Sequence, residues 1–252
     1  MESVLISGAS IAGPSLAFWL HHYGFNVTMI ERSAGPRPGG HAIDVRGVAL
    51  DVLQSMGLLD AVSLNRTQMK GVSSLDADGK EVWRSDEMTI TGGAFDNEDI
   101  EILRDDISAL LMSKLSDDVE IIYDDSIKAI TEKTDGVEVL LEEGGVRNFD
   151  FIVGADGIRS NVRDLVFGHE DEYLKPLGVA LAVFSAANHI GLENWQLDYK
   201  CDKRSALVYT ARDNAELRVC FSMKVGLGDI PRDKAAQMAL VEDYCQGMGW
   251  EV

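Results

Sequence analysis

Gly8, Ser10 and Gly13 have the spacing of a G-x-G-x-x-G turn, with serine in the middle position. The turn follows an apolar run and precedes apolar residues at helical spacing, so it is predicted to join a strand to a helix. Glycine allows a sharp turn and close helix–strand packing, and the exposed N–H groups at a helix start attract a pyrophosphate. These residues, with Ile11 and Ala12 between them, predict a dinucleotide-binding turn.

Glu31 follows Gly8 by 23 residues and ends the next strand-like run. A carboxylate at this distance can accept hydrogen bonds from an adenosine ribose, whereas it would repel a 2′-phosphate. The pattern therefore predicts FAD or NAD, rather than NADP, in this site. The alternative is an ordinary strand-to-helix turn of an unrelated α/β protein, and Ser10 departs from the glycine pattern.

Three further segments carry candidate ligand-side residues. Ser33–Gly40 is a loop by composition at the end of the second strand, and Arg46 follows it. Arg104 precedes an acidic helix start, and Asp156 lies in a Gly-Ala-Asp-Gly turn. The alternatives are surface ion pairs for the arginines and a plain strand-to-helix turn for the aspartate. His41 lies in the ligand-side loop, but no catalytic residue and no metal site is assigned.

The elements that would position these residues alternate between strand and helix in the first part of the chain. Predicted strands cover residues 4–6, 27–30, 72–75, 81–83, 119–123, 128–133, 137–141, 149–153, 178–187, 195–199, 206–210 and 216–223. Further predicted helices cover residues 48–56, 105–115, 161–167 and 231–246, with Ser160 as an N-cap and Pro231 near N1. Asp96–Glu101 is acidic and is predicted to be solvated. The order predicts an α/β protein with a Rossmann-like parallel sheet and a second, mainly β layer.

The amino-acid composition and net charge indicate which classes of binding partner to expect and which to exclude. The chain has 252 residues, 46% of them hydrophobic, and a formal net charge of −19. It can form one large or two small domains, and its acidic surface argues against nucleic acid and anionic membranes. The three widely spaced cysteines fit neither a disulfide framework nor a zinc site, which favours the cytoplasm. No apolar stretch is long enough to span a bilayer.

Three separated motifs together resemble one protein family. They are the Gly8-Ser10-Gly13 turn with Glu31-Arg32, Leu103-Arg104 ahead of an acidic helix, and Gly154-Ala155-Asp156-Gly157 followed by Ser160 and Arg163. The combination resembles the FAD-dependent aromatic hydroxylases, the para-hydroxybenzoate hydroxylase-like class A flavoprotein monooxygenases. It is most similar to the branch that acts on polyketides and tetracyclines. The resemblance implies an enzyme that hydroxylates an aromatic or polyketide-like small molecule with NAD(P)H and O₂, through a flavin hydroperoxide.

The resemblance also implies which residues hold the cofactor. They are Gly8, Ser10, Ile11, Ala12, Gly13, Glu31, Arg32, Arg46, Arg104 and Asp156. The glycine turn would lie along the FAD pyrophosphate, with Glu31 at the adenosine ribose and Arg32 beside the adenine. Arg46 and Arg104 would lie over the flavin side of the cofactor. Asp156 would belong to the region that serves both FAD and incoming NAD(P)H.

The chain departs from this family after the substrate region. Residues 1–172 would form the FAD-binding domain, with 71–96 contributing to the substrate layer, and 173–252 would form a substrate domain. Family members continue with a further Gly-Asp motif at the flavin, and no Gly-Asp-Ala element follows the substrate region, since only residues 247–252 come after Gln246. We therefore expect a C-terminally truncated chain, and the alternative to an active monooxygenase is an inactive FAD- or nucleotide-binding fragment. An NAD-dependent dehydrogenase that uses only the first motif is a third hypothesis, and it predicts a Tyr-x-x-x-Lys or similar catalytic pair.

Overall fold

The computed structural model describes residues 1–202, 204–226 and 230–251. The chain divides into two units, each built from two segments. The first unit comprises Met1–Pro38 and Asp105–Lys175, and the second comprises Gly39–Arg104 and Pro176–Val252. The predicted division at residue 172 differs from this one, because residues 39–104 lie with the C-terminal segment. The strands β3 (Ala42–Val45) and β8 (Ile100–Leu103) lie near the two ends of the segment 39–104 and pair with each other.

The remaining elements are named in chain order. The other strands are β1 (Ser3–Ser7), β2 (Asn26–Glu31), β4 (Val72–Leu75), β5 (Glu81–Ser85), β6 (Met88–Thr89), β7 (Gly93–Ala94), β9 (Glu120–Tyr123), β10 (Ile127–Lys133), β11 (Gly136–Leu141), β12 (Val146–Phe149), β13 (Phe151–Gly154), β14 (Ala180–Ala187), β15 (Gln196–Cys201), β16 (Arg204–Ala211) and β17 (Glu216–Met223). The helices are α1 (Ala12–His22), α2 (Val48–Ser55), α3 (Leu59–Leu64), α4 (Arg104–Met112), α5 (Asn161–Val166) and α6 (Lys234–Cys245). A short 3-10 turn covers Glu170–Glu172.

The first unit is organised around a four-stranded parallel sheet in the order β13-β1-β2-β9. Val4, Leu5 and Ile6 of β1 are fully buried, as expected for a central parallel strand that is covered on both faces. Their alternation divides them between two hydrophobic clusters, one on each side of the sheet. A separate antiparallel sheet has the order β10-β11-β12. The parallel register brings the ends of β1, β2 and β13 to one edge.

The second unit contains a six-stranded sheet in the order β14-β17-β16-β15-β4-β5. Neighbouring strands are antiparallel except β15 and β4, which run parallel. The hairpin of β4 and β5 therefore shares one sheet with the strands that follow residue 176. The predicted α/β class, with a parallel sheet and a mainly β layer, is confirmed.

The local predictions about helix starts and about the acidic segment that ends at Glu101 have different outcomes. Ser160 caps α5 as predicted, because its hydroxyl accepts a hydrogen bond from the Arg163 amide. The last helix begins at Lys234 rather than near Pro231, since the Asp233 side chain caps it. The prediction that Glu101 is solvated is wrong: this residue lies in β8 and is 9% exposed. Helix α3 was not predicted. None of the helices in the described residues has both the length and the apolar character needed to cross a membrane.

Candidate cofactor site

The glycine turn after β1 has no room for side chains at its first and last positions. Gly8 has φ +107°, and a Cβ there would lie 2.5 Å from the Ala155 carbonyl oxygen. A Cβ on Gly13 would lie only 1.9 Å from the carbonyl oxygen of Gly8. Both contacts are with backbone atoms, which cannot rotate away as a side chain could. Glycine is therefore required at both positions for the turn and α1 to pack as they do.

Helix α1 begins with unused hydrogen-bonding capacity. The first amides of a helix have no acceptor within it, and no side chain among the described residues caps α1. Ser10 and Ile11 are half-buried and Ala12 is exposed, so the turn backbone is accessible. The Ser108 hydroxyl donates to the Ser10 carbonyl oxygen at 2.9 Å, which ties the turn to α4. The result is a fixed group of amides at the positive end of a helix, the arrangement that binds phosphate.

The Glu31 carboxylate lies against this turn. Its Oε2 accepts a hydrogen bond from the Ala9 amide at 3.0 Å, and its Oε1 accepts one from the Ser33 amide at 3.1 Å. Burial raises the pKa of Glu31, but these hydrogen bonds outweigh burial and the pKa is lowered overall. The group is therefore an anion near neutral pH. Because each carboxylate oxygen has two lone pairs, both retain capacity for a ribose hydroxyl.

Asp156 occupies the turn between β13 and α5 and uses its carboxylate within that turn. Its Oδ2 accepts from the Ser160 hydroxyl at 2.8 Å and from the Val162 amide at 3.0 Å. Its neighbour Ala155 contacts Gly8, so this turn lies beside the glycine turn at the same sheet edge. Asp156 thus shapes the local backbone, and Gly157, with φ +83°, continues the turn.

The predicted arginines differ in their surroundings. Arg32 is exposed just after Glu31 in the first unit. Arg46, in the second unit, pairs with Asp44 at 2.8 Å and with Asp99 at 3.0 Å, and its side chain is 53% exposed. Arg46 therefore takes part in the surface ion pairs that the sequence left open as its alternative role.

Arg104 begins α4 and lies against the segment 39–42, here called the glycine loop. Its Nη2 donates to the Gly39 carbonyl oxygen at 3.3 Å, and its amide donates to the His41 carbonyl oxygen at 3.1 Å. A Cβ on Gly40 would lie 2.6 Å from Arg104 Nε. Burial, together with the Arg104 charge, lowers the pKa of His41. The glycine loop and Arg104 thus hold each other in place.

Four contributors to these two segments were not found from the sequence. Ser33 and Ser108 support the dinucleotide turn, while Tyr209 and Arg218 hold the glycine loop. Ser33 offered a local signal, since it follows Glu31 by two residues just past a predicted strand end, within reach of the Glu31 carboxylate. The other three act across 98 or more residues of sequence, and no spacing rule predicts such contacts.

Residues 1–189 match the family described as FAD binding domain. The chain belongs to this FAD-binding family. An uncharacterised protein of Mycobacterium tuberculosis is 45% identical over 251 residues, which cover 99% of this chain and 68% of the relative. A flavin-dependent monooxygenase of Legionella longbeachae is 32% identical, with 98% of this chain and 63% of the relative covered. The resemblance to FAD-dependent monooxygenases that the three motifs predicted is confirmed.

Solved structures agree with this assignment. The tetracycline destructase Tet(51) superimposes with a TM-score of 0.89 and 30% identity, over all of this chain and 64% of that protein. The protein CtdE in complex with FAD has a TM-score of 0.75 at 17% identity, which shows a shared fold. The chain therefore spans about two thirds of the length of these relatives. FAD is the cofactor of the family, and the glycine cradle and the Glu31 anion fit it.

Proposed function

We propose that this protein is an FAD-dependent monooxygenase that hydroxylates an aromatic or polyketide-like small molecule, with NAD(P)H as electron donor and O₂ as oxidant. The observation that carries the proposal is the Gly8–Gly13 cradle with the Glu31 carboxylate beside it, in a chain of the FAD-binding family. Named flavin-dependent monooxygenases and tetracycline destructases among the relatives support the reaction and the substrate class.

In this proposal, backbone amides and side chains bind different parts of FAD. The turn amides of Ser10, Ile11 and Ala12 hold the pyrophosphate, and Glu31 accepts hydrogen bonds from the adenosine ribose. Arg32 flanks the adenine. When bound, FAD would supply the redox chemistry of the reaction.

The other predicted residues act on the flavin side of the cofactor. Arg104 contributes positive charge there, Arg46 lies on the same side while paired with Asp44 and Asp99, and Asp156 keeps the β13–α5 turn in a shape that serves FAD and NAD(P)H. No nucleophile or acid–base pair is needed from the protein, since positioning and the exclusion of water are its tasks. The six-stranded sheet supplies the apolar wall for an aromatic substrate.

A second candidate function is FAD binding without turnover. It rests on the Gly8–Gly13 cradle and the Glu31 carboxylate, which support FAD binding without requiring turnover. The two candidates differ in one observable. Oxidation of NAD(P)H by the purified, FAD-loaded chain would support the monooxygenase, and FAD binding without any NAD(P)H oxidation would support the second candidate.

The Glu31→Gln variant tests the placement of the cofactor. Loss of charge-assisted hydrogen bonds should weaken FAD binding by about 1.5–3 kcal/mol, or roughly 10- to 150-fold in Kd. Glu120→Gln is the matched control, because Glu120 begins the neighbouring strand β9 and binds Thr28 and Arg147 rather than the amides of the glycine turn. FAD fluorescence titration measures both variants. Equal affinities for wild type and Glu31→Gln would show that the ribose does not lie at Glu31.

A further inference from the structure

The glycine loop leads into β3, which pairs with β8 from Ala42 onward, and side chains of the second unit hold the loop in addition. The Gly40 carbonyl oxygen accepts from Arg218 Nε at 3.1 Å, and the Ala42 amide donates to the Tyr209 hydroxyl oxygen at 2.7 Å. Arg104 provides the third attachment, at Gly39. Three of the four loop residues are thus anchored to side chains within the second unit.

Tyr209 and Arg218 act as a pair on the six-stranded sheet. They are direct cross-strand partners on β16 and β17, so their side chains leave the same face of the sheet. Tyr209 is fully buried and Arg218 is 2% exposed. Arg218 Nη1 also binds the Ser185 hydroxyl, at 2.6 Å, and the Glu216 carboxylate. Two neighbouring strands therefore present two polar groups to one loop.

Polar side chains at such buried positions require a reason. Burying a hydroxyl or a guanidinium costs free energy unless hydrogen bonds replace those to water, and phenylalanine or leucine would fill the space without that cost. Burial raises the pKa of Tyr209 to about 12, so its hydroxyl remains neutral. The Tyr209 hydroxyl oxygen accepts a hydrogen bond from the Ala42 amide, and this bond fixes the distance between the glycine loop and the six-stranded sheet.

We propose that Tyr209 and Arg218 are positioning residues for the cofactor, which fix the glycine loop, and through it Arg104, in the conformation that binds FAD. This inference rests on the proposed function, since the flavin-side role of Arg104 belongs to it. The physical link is the packing of the Arg104 guanidinium against Gly40. If the glycine loop moved away from the six-stranded sheet, its packing contact with the Arg104 side chain would move as well.

The test compares two buried tyrosines. Tyr209→Phe removes the acceptor of the Ala42 amide, and Tyr199→Phe is the matched control. Tyr199 is also fully buried in the second unit, and its single O–H lies within hydrogen-bonding reach of the backbone oxygens of Ala77 and Met248, outside the glycine loop. We expect Tyr209→Phe to raise the Kd for FAD about tenfold, to shift the visible spectrum of bound flavin, and to speed hydrogen exchange of the loop amides about tenfold. Tyr199→Phe should leave all three unchanged.

A second variant addresses Arg218 without removing its charge. Arg218→Lys keeps a cation for Glu216 but loses the Nε donor to Gly40, and it should also weaken FAD binding and speed loop exchange. Wild-type FAD affinity in Tyr209→Phe, or equal losses in both tyrosine variants, would overturn the inference. Failure of the wild-type chain to bind FAD would instead refute the proposed function, and this inference with it. The two failures are therefore distinguishable.

Discussion

Gly13→Ala is the substitution whose effect the geometry defines most closely. The new Cβ would lie 1.9 Å from the Gly8 carbonyl oxygen and 3.4 Å from Met29 Cε. Contacts below 3.0 Å are essentially never seen for a real Cβ, so α1 and the turn must separate by at least about 1.1 Å. That displacement moves the first amides of α1 relative to Gly8. A hydrogen bond of about 2.9 Å does not survive a stretch of this size.

The effect on FAD and the effect on stability should differ. Loss of one or more charge-assisted bonds to the pyrophosphate should weaken FAD binding by about 1.5–3 kcal/mol, or roughly 10- to 150-fold. Alanine gains about 1 kcal/mol of helix propensity but loses about 1–3 kcal/mol to overpacking. The unfolding free energy without FAD should therefore fall by no more than about 2 kcal/mol. Fluorescence titration with FAD and urea unfolding measure the two quantities.

Gly24→Ala provides the matched control. Gly24 follows α1 and has φ +89°, and no atom of the described residues lies within 4 Å of the position that a Cβ would take there. Its substitution costs about 1–2 kcal/mol of left-handed backbone strain, comparable with Gly13→Ala. It lies at the other end of α1, so FAD affinity should stay at the wild-type value. FAD binding by Gly13→Ala as tight as that of wild type would refute the reasoning about the turn.

Two further predictions concern stability. Burial raises the pKa of Glu101 above 4.5, although the Thr67 hydroxyl opposes the shift, so folded-state ionisation is disfavoured. The unfolding free energy of the wild-type chain should therefore decline as pH rises above about 4.5 through the raised pKa. Urea unfolding between pH 4.5 and 8 should show that Glu101→Gln lacks this decline. Parallel pH profiles for the two chains would contradict the prediction. Ser160→Ala removes the cap of α5 and its bond to Asp156, and should lower the unfolding free energy by about 1 kcal/mol. An unchanged urea midpoint would show that the cap is dispensable.

The dinucleotide turn could be predicted because its signals are local. Strand, turn, helix and acid lie within 29 residues, Val4 to Arg32, and each follows from periodicity or from the steric needs of glycine. The Ser160 cap of α5 is local in the same way. The resemblance added the family and its cofactor, which the comparisons confirm. The assignment of each residue to a part of FAD stays a prediction.

Long-range contacts set the limit of prediction. Glu101 looked solvated because it ends the acidic run Asp96–Glu101. Asp96 to Glu98 are exposed, yet β8 pairs with β3 and takes Glu101 into the interior. Tyr209 reaches Ala42 across 167 residues, and Arg218 reaches Gly40 across 178. In the sequence both are simply members of strand-like runs. Their partners become visible only once the strand order of the second unit is known.

The most direct test of the central claim is a titration of the purified wild-type chain with FAD, followed by flavin fluorescence and the visible spectrum. The cradle of Gly8 and Gly13 with Glu31 predicts saturable binding of one FAD per chain and a spectrum shifted from that of free flavin. No change in fluorescence or spectrum at saturating FAD would contradict the claim that these residues form a cofactor site.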